Sequence, residues 1–228
     1  MDVTVSAAAV ICAAGSSSRM GGLKKEYQKL KDGITVLGSS VRALAVIPHI
    51  KTIVISIPQG SEADARDALP PEYMSAQFPK ILFVTGGSTR RESVFNALSC
   101  LESYNPDYVL IHDGARPWVS ASLIENLIKA VIEYNAVIPL QPLTDTPKEC
   151  DEQGSFVKNH LKRSSTGIAQ TPQAFKFSDI HKAHEKAAIA NDEEFTDDAE
   201  IWGRFCGQVA VIPGDPSNKK ITFLEDLV

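Results

Sequence analysis

Short β-branched apolar runs alternate along this chain with longer stretches of helical period, and that alternation leaves few folds open. The predicted strands are Ala8–Ala13, Thr52–Ile57, Ile81–Thr85, Tyr108–His112, Ala136–Leu140 and Val209–Ile212. Several are apolar on both faces, as strands covered on both sides must be. Between them, Leu37–Ile47 puts Leu37, Val41, Leu44 and Ala45 on one helical face, and Ser88–Leu101 does the same with Val94, Ala97, Leu98 and Leu101. Ser120 can cap a helix over Ala121–Tyr134, where Leu123, Ile124, Leu127, Ile128 and Val131 follow helical spacing. Asp179–Ala190 is a further helix. The β-α-β-α order predicts an α/β fold with a mostly parallel, Rossmann-like sheet and helices on both faces.

Thr146–Leu161 breaks the rhythm: it is polar, lacks a helix period and contains the turn-like tetrapeptide Asp151–Gly154. It is expected to be a β-hairpin arm outside the main sheet, protruding from one domain that spans residues 1–228. Ala7–Ala14 could pass for a signal-peptide core, but Asp2 stands where a basic residue would be needed, so a buried first strand is expected. The four cysteines, Cys12, Cys100, Cys150 and Cys206, have no C-x-x-C spacing. Free thiols in a reducing cytoplasm are expected, and no zinc site. A net charge of −5 argues against broad nucleic-acid or anionic-membrane binding, while leaving room for a local basic pocket. No apolar run reaches the ~18 residues of a membrane helix.

The first strand runs into Ala13-Ala14-Gly15-Ser16-Ser17-Ser18-Arg19-Met20, followed by Gly21-Gly22-Leu23-Lys24-Lys25. Ligands of open α/β sheets bind beyond the carboxyl ends of the strands. Small residues let backbone N–H groups approach a phosphate, and Arg19 with Lys24 or Lys25 adds positive charge. Neither a Walker A motif nor G-x-G-x-x-G is present. An ordinary basic surface turn is the alternative; position straight after the first strand favours phosphate.

The loop, read as A-A-G-x-x-x-R-M followed by K-x-Y, resembles the sugar-phosphate nucleotidyltransferases, and more narrowly the 2-C-methyl-D-erythritol 4-phosphate cytidylyltransferase family. The resemblance continues in order. Gly86-Gly87-Ser88-Thr89-Arg90-Arg91-Glu92-Ser93-Val94 is similar to the family's G-G-x-x-R-x-x-S-V, and Ile111–Pro117 to its H-D-A-A-R-P. Asp145-Thr146, Arg163 with Thr171-Pro172-Gln173, Thr196–Ala199 and Asn218–Thr222 complete the set. Cys12 stands where the family often has Pro, and Ser17, Glu26 and Gly114 replace its usual Gly, Gln and Ala. The sequence stops just after Leu224–Leu227, where the family usually continues into a terminal helix.

The resemblance implies a fold of the nucleotide-diphospho-sugar transferase type. It implies an enzyme joining CTP to 2-C-methyl-D-erythritol 4-phosphate, with pyrophosphate released, in non-mevalonate isoprenoid precursor synthesis. A cytidylyltransferase for ribitol phosphate or another sugar-alcohol phosphate, and a non-catalytic nucleotide-binding protein, are the alternatives. Arg19, Lys25, Arg163 and Lys220 are the implied catalytic set. Lys24 competes with Lys25, which stands in the K-x-Y frame with Tyr27. CTP would meet Ala13, Ala14, Gly15, Ser16, Arg19, Lys25, Gly87, Ser88, Ser93, Asp113, Gly114 and Lys220. The sugar phosphate would meet Asp113, Arg116, Thr146, Arg163, Thr171 and Lys220.

Asp113 would hold Mg²⁺ or another divalent cation, the alternative being a helix cap or an ion pair with Arg116. The alternative for Arg163 is a solvated basic cluster with Lys158, His160 and Lys162, and that for Lys220 an exposed strand end beside Lys219. A lone hairpin needs a partner, most simply a second copy of the chain, and the resemblance implies a homodimer in which Thr146 and Arg163 serve the other subunit's site. His112 is expected to be structural, the His181/His184 pair to lie on the surface, and Asp192–Glu194 with Asp197 and Asp198 to form a loop and helix start.

Overall fold

The computed structural model describes residues 5–15, 21–74, 79–190 and 195–227. Its main sheet runs in the order β10-β5-β9-β4-β1-β2-β3, with β8 paired to β5. The strands are β1 (Ala7–Cys12), β2 (Ile50–Ile57), β3 (Lys80–Thr85), β4 (Tyr108–Asp113), β5 (Ala136–Pro142), β8 (Gly167–Ala169), β9 (Gln173–Lys176) and β10 (Ala210–Pro213). β1 is parallel to β2 and β4, β2 to β3, and β5 to β10. β9 was not foreseen. It lies antiparallel between β4 and β5, and β8 is antiparallel to β5. The sheet is therefore mostly parallel, as the alternation required.

β1 is buried on both faces because helices cover both. Ala7, Ala9 and Ile11 pack with Leu37, Val41 and Leu44 of α1 (Val36–Ala45) and with Leu123, Leu127 and Val131 of α4 (Ala121–Tyr134). Ala8 and Val10 face Val94, Ala97 and Leu98 of α3 (Arg90–Cys100), Ile180 and Ala183 of α5 (Phe177–Ala190) and Trp202 of α6 (Asp198–Phe205). A short α2 (Glu62–Asp67) follows β2. The Ser120 hydroxyl accepts the Leu123 N–H and caps α4, whose bounds are those its apolar spacing predicted. Asn135, at a φ of +63°, turns the chain straight into β5.

The irregular segment forms its own two-stranded antiparallel sheet, β6 (Lys148–Cys150) with β7 (Val157–His160). Asp151 closes its turn: the side chain accepts the Ser155 and Phe156 N–H groups at 2.7 and 3.3 Å. Gly154 supplies a φ of +68°. The four cysteines are free. Among the described residues, no helix is long and apolar enough to cross a membrane.

The histidine pair on α5 is a correction. His181 and His184 are buried, because Phe177, Ile180, Ala183 and Ala187 place both on the helix face that meets the sheet. His181 stacks on Phe95 and Phe177. Asp197 and Asp198 stand at the start of α6, as expected, with Asp198 fully buried among charged and polar partners, while Asp192–Glu194 lie outside the described residues.

Candidate active site

The chain runs outward from β1 through β2 to β3 and then resumes on the other side at β4, so the strand order reverses between β1 and β4. A crevice forms at such a reversal, beyond the carboxyl ends of the two strands. Asp113 ends β4 level with Cys12 at the end of β1. The Gly114 N–H donates to the Cys12 carbonyl at 2.9 Å, and a Cβ on Gly114 would sit 2.9 Å from that same oxygen. Chain and side chains are close-packed at this corner.

Three cations surround the Asp113 carboxylate. Oδ2 lies 3.0 Å from Lys220 Nζ and 3.2 Å from Arg116 Nε, and Oδ1 lies 3.9 Å from Arg90 Nε. Burial by itself would raise the carboxyl pKa; Lys220, Arg90 and Arg116 together hold it well below the usual carboxylate range. The same cations leave net positive charge at the mouth of the crevice, which suits a polyphosphate.

The carboxy-terminal segment is stitched onto this corner, which explains the Asn218-x-Lys220 frame. Arg116 Nη1 donates to the Asn218 carbonyl at 2.8 Å, and Asn218 Nδ2 donates to the Thr171 carbonyl at 2.8 Å. The Ile221 N–H donates to Ala115 at 2.9 Å, and Lys25 Nζ donates to the Ile221 carbonyl at 3.2 Å. Lys25 thereby joins the Asp113 group through the segment that carries Lys220. Lys24 turns the other way, to the Gly15 carbonyl at 3.1 Å. Thr171 is buried behind Asp113, its hydroxyl accepting the Asp113 N–H at 3.0 Å.

A second wall of the crevice comes from the Gly86-Gly87 turn after β3. The Gly86 N–H donates to the Ile57 carbonyl at 2.8 Å. A Cβ on Gly86 would lie 2.4 Å from Ala14 Cβ, so only glycine lets this turn rest against the first loop. The Ser93 hydroxyl donates to the Thr89 carbonyl at 2.9 Å and accepts the Gly87 N–H at 3.1 Å. Ser93 thus holds the turn. Ser88 gives both its N–H and its hydroxyl to Glu92, at 2.7 and 2.6 Å.

Of the residues the sequence singled out, the fold brings together Ala13, Ala14 and Gly15 at the end of β1, Gly87 and Ser93 beside them, and Asp113, Gly114, Arg116, Thr171, Lys220 and Lys25 at the β4 corner. Ser16 and Arg19 lie outside the described residues. Thr146 and Arg163 stand apart. Both are exposed at the base of the arm, where Arg163 Nη1 donates to the Thr144 carbonyl at 2.7 Å. Sequence reasoning gave no site role to Arg90, Asp198 and His184; the buried His184 and Asp198 and the part-exposed Arg90 form a chain leading to Asp113. The helical wheel of α5 carried a signal for His184, whose position falls on the apolar face.

Two groups commonly used as bases or nucleophiles are set aside by their surroundings. Burial pushes the His112 imidazole down to about 4 and the Cys12 thiol up to about 12. For a divalent cation, Asp113 offers Oδ1, whose nearest cation is Arg90 at 3.9 Å. That fits a magnesium ion held by one carboxylate together with substrate phosphates and water, and does not amount to a protein cage. Among the described residues, Glu102, His181 and Glu185 could also hold an ion, but they lie where the end of α3 meets α5, away from Asp113.

A doubly covered α/β sheet with a cation-lined crevice at its strand reversal has the architecture of the Rossmann-like class, whose ligands bind at that reversal. The comparisons narrow the class. The sequence profile of the 2-C-methyl-D-erythritol 4-phosphate cytidylyltransferase (IspD) family matches residues 7–228, and the chain belongs to that family. It is 36% identical over 228 residues to the bifunctional enzyme IspD/IspF of Bartonella tribocorum, covering 98% of this chain and 55% of that protein. It is 37% identical over 220 residues to the Brucella abortus enzyme of the same name, covering 94% and 54%. The chain thus spans about half the length of the curated relatives it matches. Among solved structures, 4-diphosphocytidyl-2C-methyl-D-erythritol synthase of Anaerococcus prevotii superposes with a TM-score of 0.84 at 32% identity, covering 98% of this chain and 93% of that one. The 2-C-methyl-D-erythritol 4-phosphate cytidylyltransferase of Thermus thermophilus gives 0.76 at 28% identity, covering 98% and 96%.

Proposed function

We propose that this protein joins CTP to 2-C-methyl-D-erythritol 4-phosphate, forming 4-diphosphocytidyl-2-C-methyl-D-erythritol and pyrophosphate. The observation that carries this reading is Asp113, ringed by Lys220, Arg116 and Arg90 at the strand reversal, in a chain of this family. The attacking group is a phosphate monoester whose second pKa is ~6, so at neutral pH it is already a nucleophilic dianion. No general base is needed, which agrees with a His112 whose two ring nitrogens both have partners. Catalysis then reduces to alignment and charge.

Lys25 and Arg19 face the triphosphate and stabilise the charge that builds on the α-phosphate and the departing pyrophosphate. Ala14, Gly15 and Ser16 would offer backbone N–H groups to it, while Ala13, whose own N–H goes to the Ser56 carbonyl at 2.9 Å, would line the loop. The Gly86-Gly87 turn, fixed by Ser93, presents backbone groups to the cytosine, with Ser88 and Gly114 at its edges. Arg116 and Lys220 bind the sugar phosphate, and Lys220 aims its oxygen at the α-phosphorus; Thr171, also expected to meet that phosphate, instead stands behind the site with its hydroxyl committed to the Asp113 N–H and to His112. Asp113 would hold magnesium, which when bound neutralises phosphate charge and screens the two polyanions from one another. Thr146 and Arg163 make no hydrogen bond or ion pair with the Asp113 group in their own chain, which favours service in the site of a second copy. The working unit is then a homodimer, with the body of each chain as one domain and the arm as the exchanged part. Four free thiols and an acidic surface suit the cytoplasm.

The test is pyrophosphate release with CTP and each candidate acceptor, with the product identified by mass. Turnover with 2-C-methyl-D-erythritol 4-phosphate is expected. Turnover only with ribitol 5-phosphate would transfer the reading to that substrate, and binding of CTP without turnover of either would make the protein a binder.

A further inference from the structure

Arg90 is the first residue of α3, and its guanidinium stands between two carboxylates. Nη2 lies 2.7 Å from Asp198 Oδ2, while Nε lies 3.9 Å from Asp113 Oδ1. Its closer partner is therefore the residue outside the proposed phosphate site. Asp198 is completely buried, a costly place for a carboxylate unless both oxygens are engaged. Both are: Oδ2 takes Arg90, and Oδ1 takes His184 Nε2 at 3.1 Å. Asp198 is held well down the carboxylate range, to about 2, since Arg90 and His184 outweigh its burial.

The backbone under Asp198 is fixed as well. Asp197 caps α6 by accepting the Glu200 N–H at 2.9 Å. Gln173 of β9, also buried, donates to Asp197 at 2.8 Å and accepts the Ala199 N–H at 3.1 Å. The first turn of α6 is thereby locked to the strand beside β4. His184 is buried without an opening to solvent, and its Nδ1 has no hydrogen-bond partner. An aliphatic side chain would fill that space without an orphaned nitrogen. The imidazole is explained by what its other nitrogen does, which is to orient Asp198.

We propose that His184 and Asp198 are positioning residues that hold Arg90 at Asp113, and that Arg90 is a further phosphate-binding cation of the site. The inference rests on the cytidylyltransferase reading only for the identity of the phosphates. Lys220 and Arg116 are paired with Asp113 itself and must share it when substrate or metal arrives. Arg90 is anchored from behind, so its remaining donors stay aimed while Asp113 changes partners. A planar, five-donor guanidinium held by one carboxylate suits this task better than a flexible ammonium.

The experiment compares Arg90→Lys, Asp198→Asn, the double variant, His184→Leu and His184→Gln. Two readouts are taken on each folded protein: kcat and KM from pyrophosphate release, and the affinity for inorganic pyrophosphate by calorimetry. Asp198→Asn and Arg90→Lys are each expected to lower kcat/KM about 10–100-fold, the scale of a misplaced catalytic group. The double variant should be no worse than the poorer single, because Asp198 acts through Arg90. His184→Leu should lose activity while its Tm holds or rises, and His184→Gln, which keeps an N–H donor, should recover most of it. Pyrophosphate affinity should follow the same order. Multiplying effects in the double variant, or a His184→Leu protein with wild-type kcat/KM and pyrophosphate affinity, would overturn the inference. If Asp198→Asn does not fold, the two His184 variants decide alone. A wild-type protein without turnover would count against the activity reading, and the calorimetric series would still decide the role of Asp198.

Discussion

His112 Nδ1 lies 3.1 Å from the hydroxyl oxygen of Thr171, and that hydroxyl accepts the Asp113 N–H at 3.0 Å. On the far side of the ring, Nε2 lies 3.1 Å from the Arg116 carbonyl, which can only accept. Burial keeps the ring neutral, so its one proton sits on Nε2 and Nδ1 accepts the Thr171 hydroxyl. Two residues that read as unrelated motifs in the sequence thus fix the end of β4, where the site begins.

That geometry sets a pH window. Burial depresses the folded His112 to about 4, whereas an unfolded histidine titrates near 6.5. Stability from the neutral ring is fully present above pH ~6.5 and is lost as pH falls from there toward about 4, because only the unfolded chain takes the proton in that interval. The loss should be on the order of 3 kcal/mol. Urea unfolding between pH 7 and 4 should show it in the wild type, and the slope should flatten in His112→Asn. Parallel slopes in the two proteins would assign the pH dependence to other groups.

The two lysines of the first loop should separate in function. Lys25 reaches the segment that carries Lys220, whereas Lys24 folds back on Gly15. Lys25→Ala is expected to lower kcat by ~10²–10³ with little change in Tm, the usual cost of removing one preorganised charge. Lys24→Ala should stay within a few fold. Exchanged behaviour of the two variants, in steady-state kinetics, would shift the basic frame by one residue.

Gly87 should tolerate no side chain. A Cβ there would lie 2.2 Å from Glu92 Cβ, inside the turn that Ser93 closes. Gly87→Ala should destabilise by about 1–3 kcal/mol, the range of an overpacked site, and should weaken CTP binding as the turn moves. Chemical denaturation and CTP titration check the two halves separately. Wild-type values in both would show that the turn can relax freely.

Activity should be lost in excess chelator and return with magnesium. Among the described residues the site offers a single carboxylate to an ion, which would then be held mainly by phosphates and bind weakly to the free protein. Calorimetry with magnesium should therefore show much tighter binding in the presence of CTP. Full turnover in metal-free buffer would remove magnesium from the reaction.

Service of the arm in a second copy predicts complementation. Lys220→Ala and Arg163→Ala chains, each inactive, should regain activity when refolded together. In a mixed dimer one site would carry both intact residues, giving roughly a quarter of wild-type activity for random pairing. No recovery in a verified mixed dimer would mean that Arg163 acts within its own chain.

The sequence alone determined the α/β class, the bounds of α4 and the hairpin. These are local properties: apolar period, caps and turn residues act over a few neighbours, and strand polarity follows from the β-α alternation. The tertiary structure decided three further matters. β9, four residues long, slips antiparallel between β4 and β5, where long-range pairing outweighs a pattern too short to read. The Asn218–Ile221 segment returns across the whole chain to bring Lys220 to Asp113. Arg90, Asp198 and His184, carried by three different helices, meet beside the sheet, and only that meeting makes the buried Asp198 and His184 tolerable. Charge can be counted along a chain; which charge is buried beside which depends on packing, and here packing decides how the site is held.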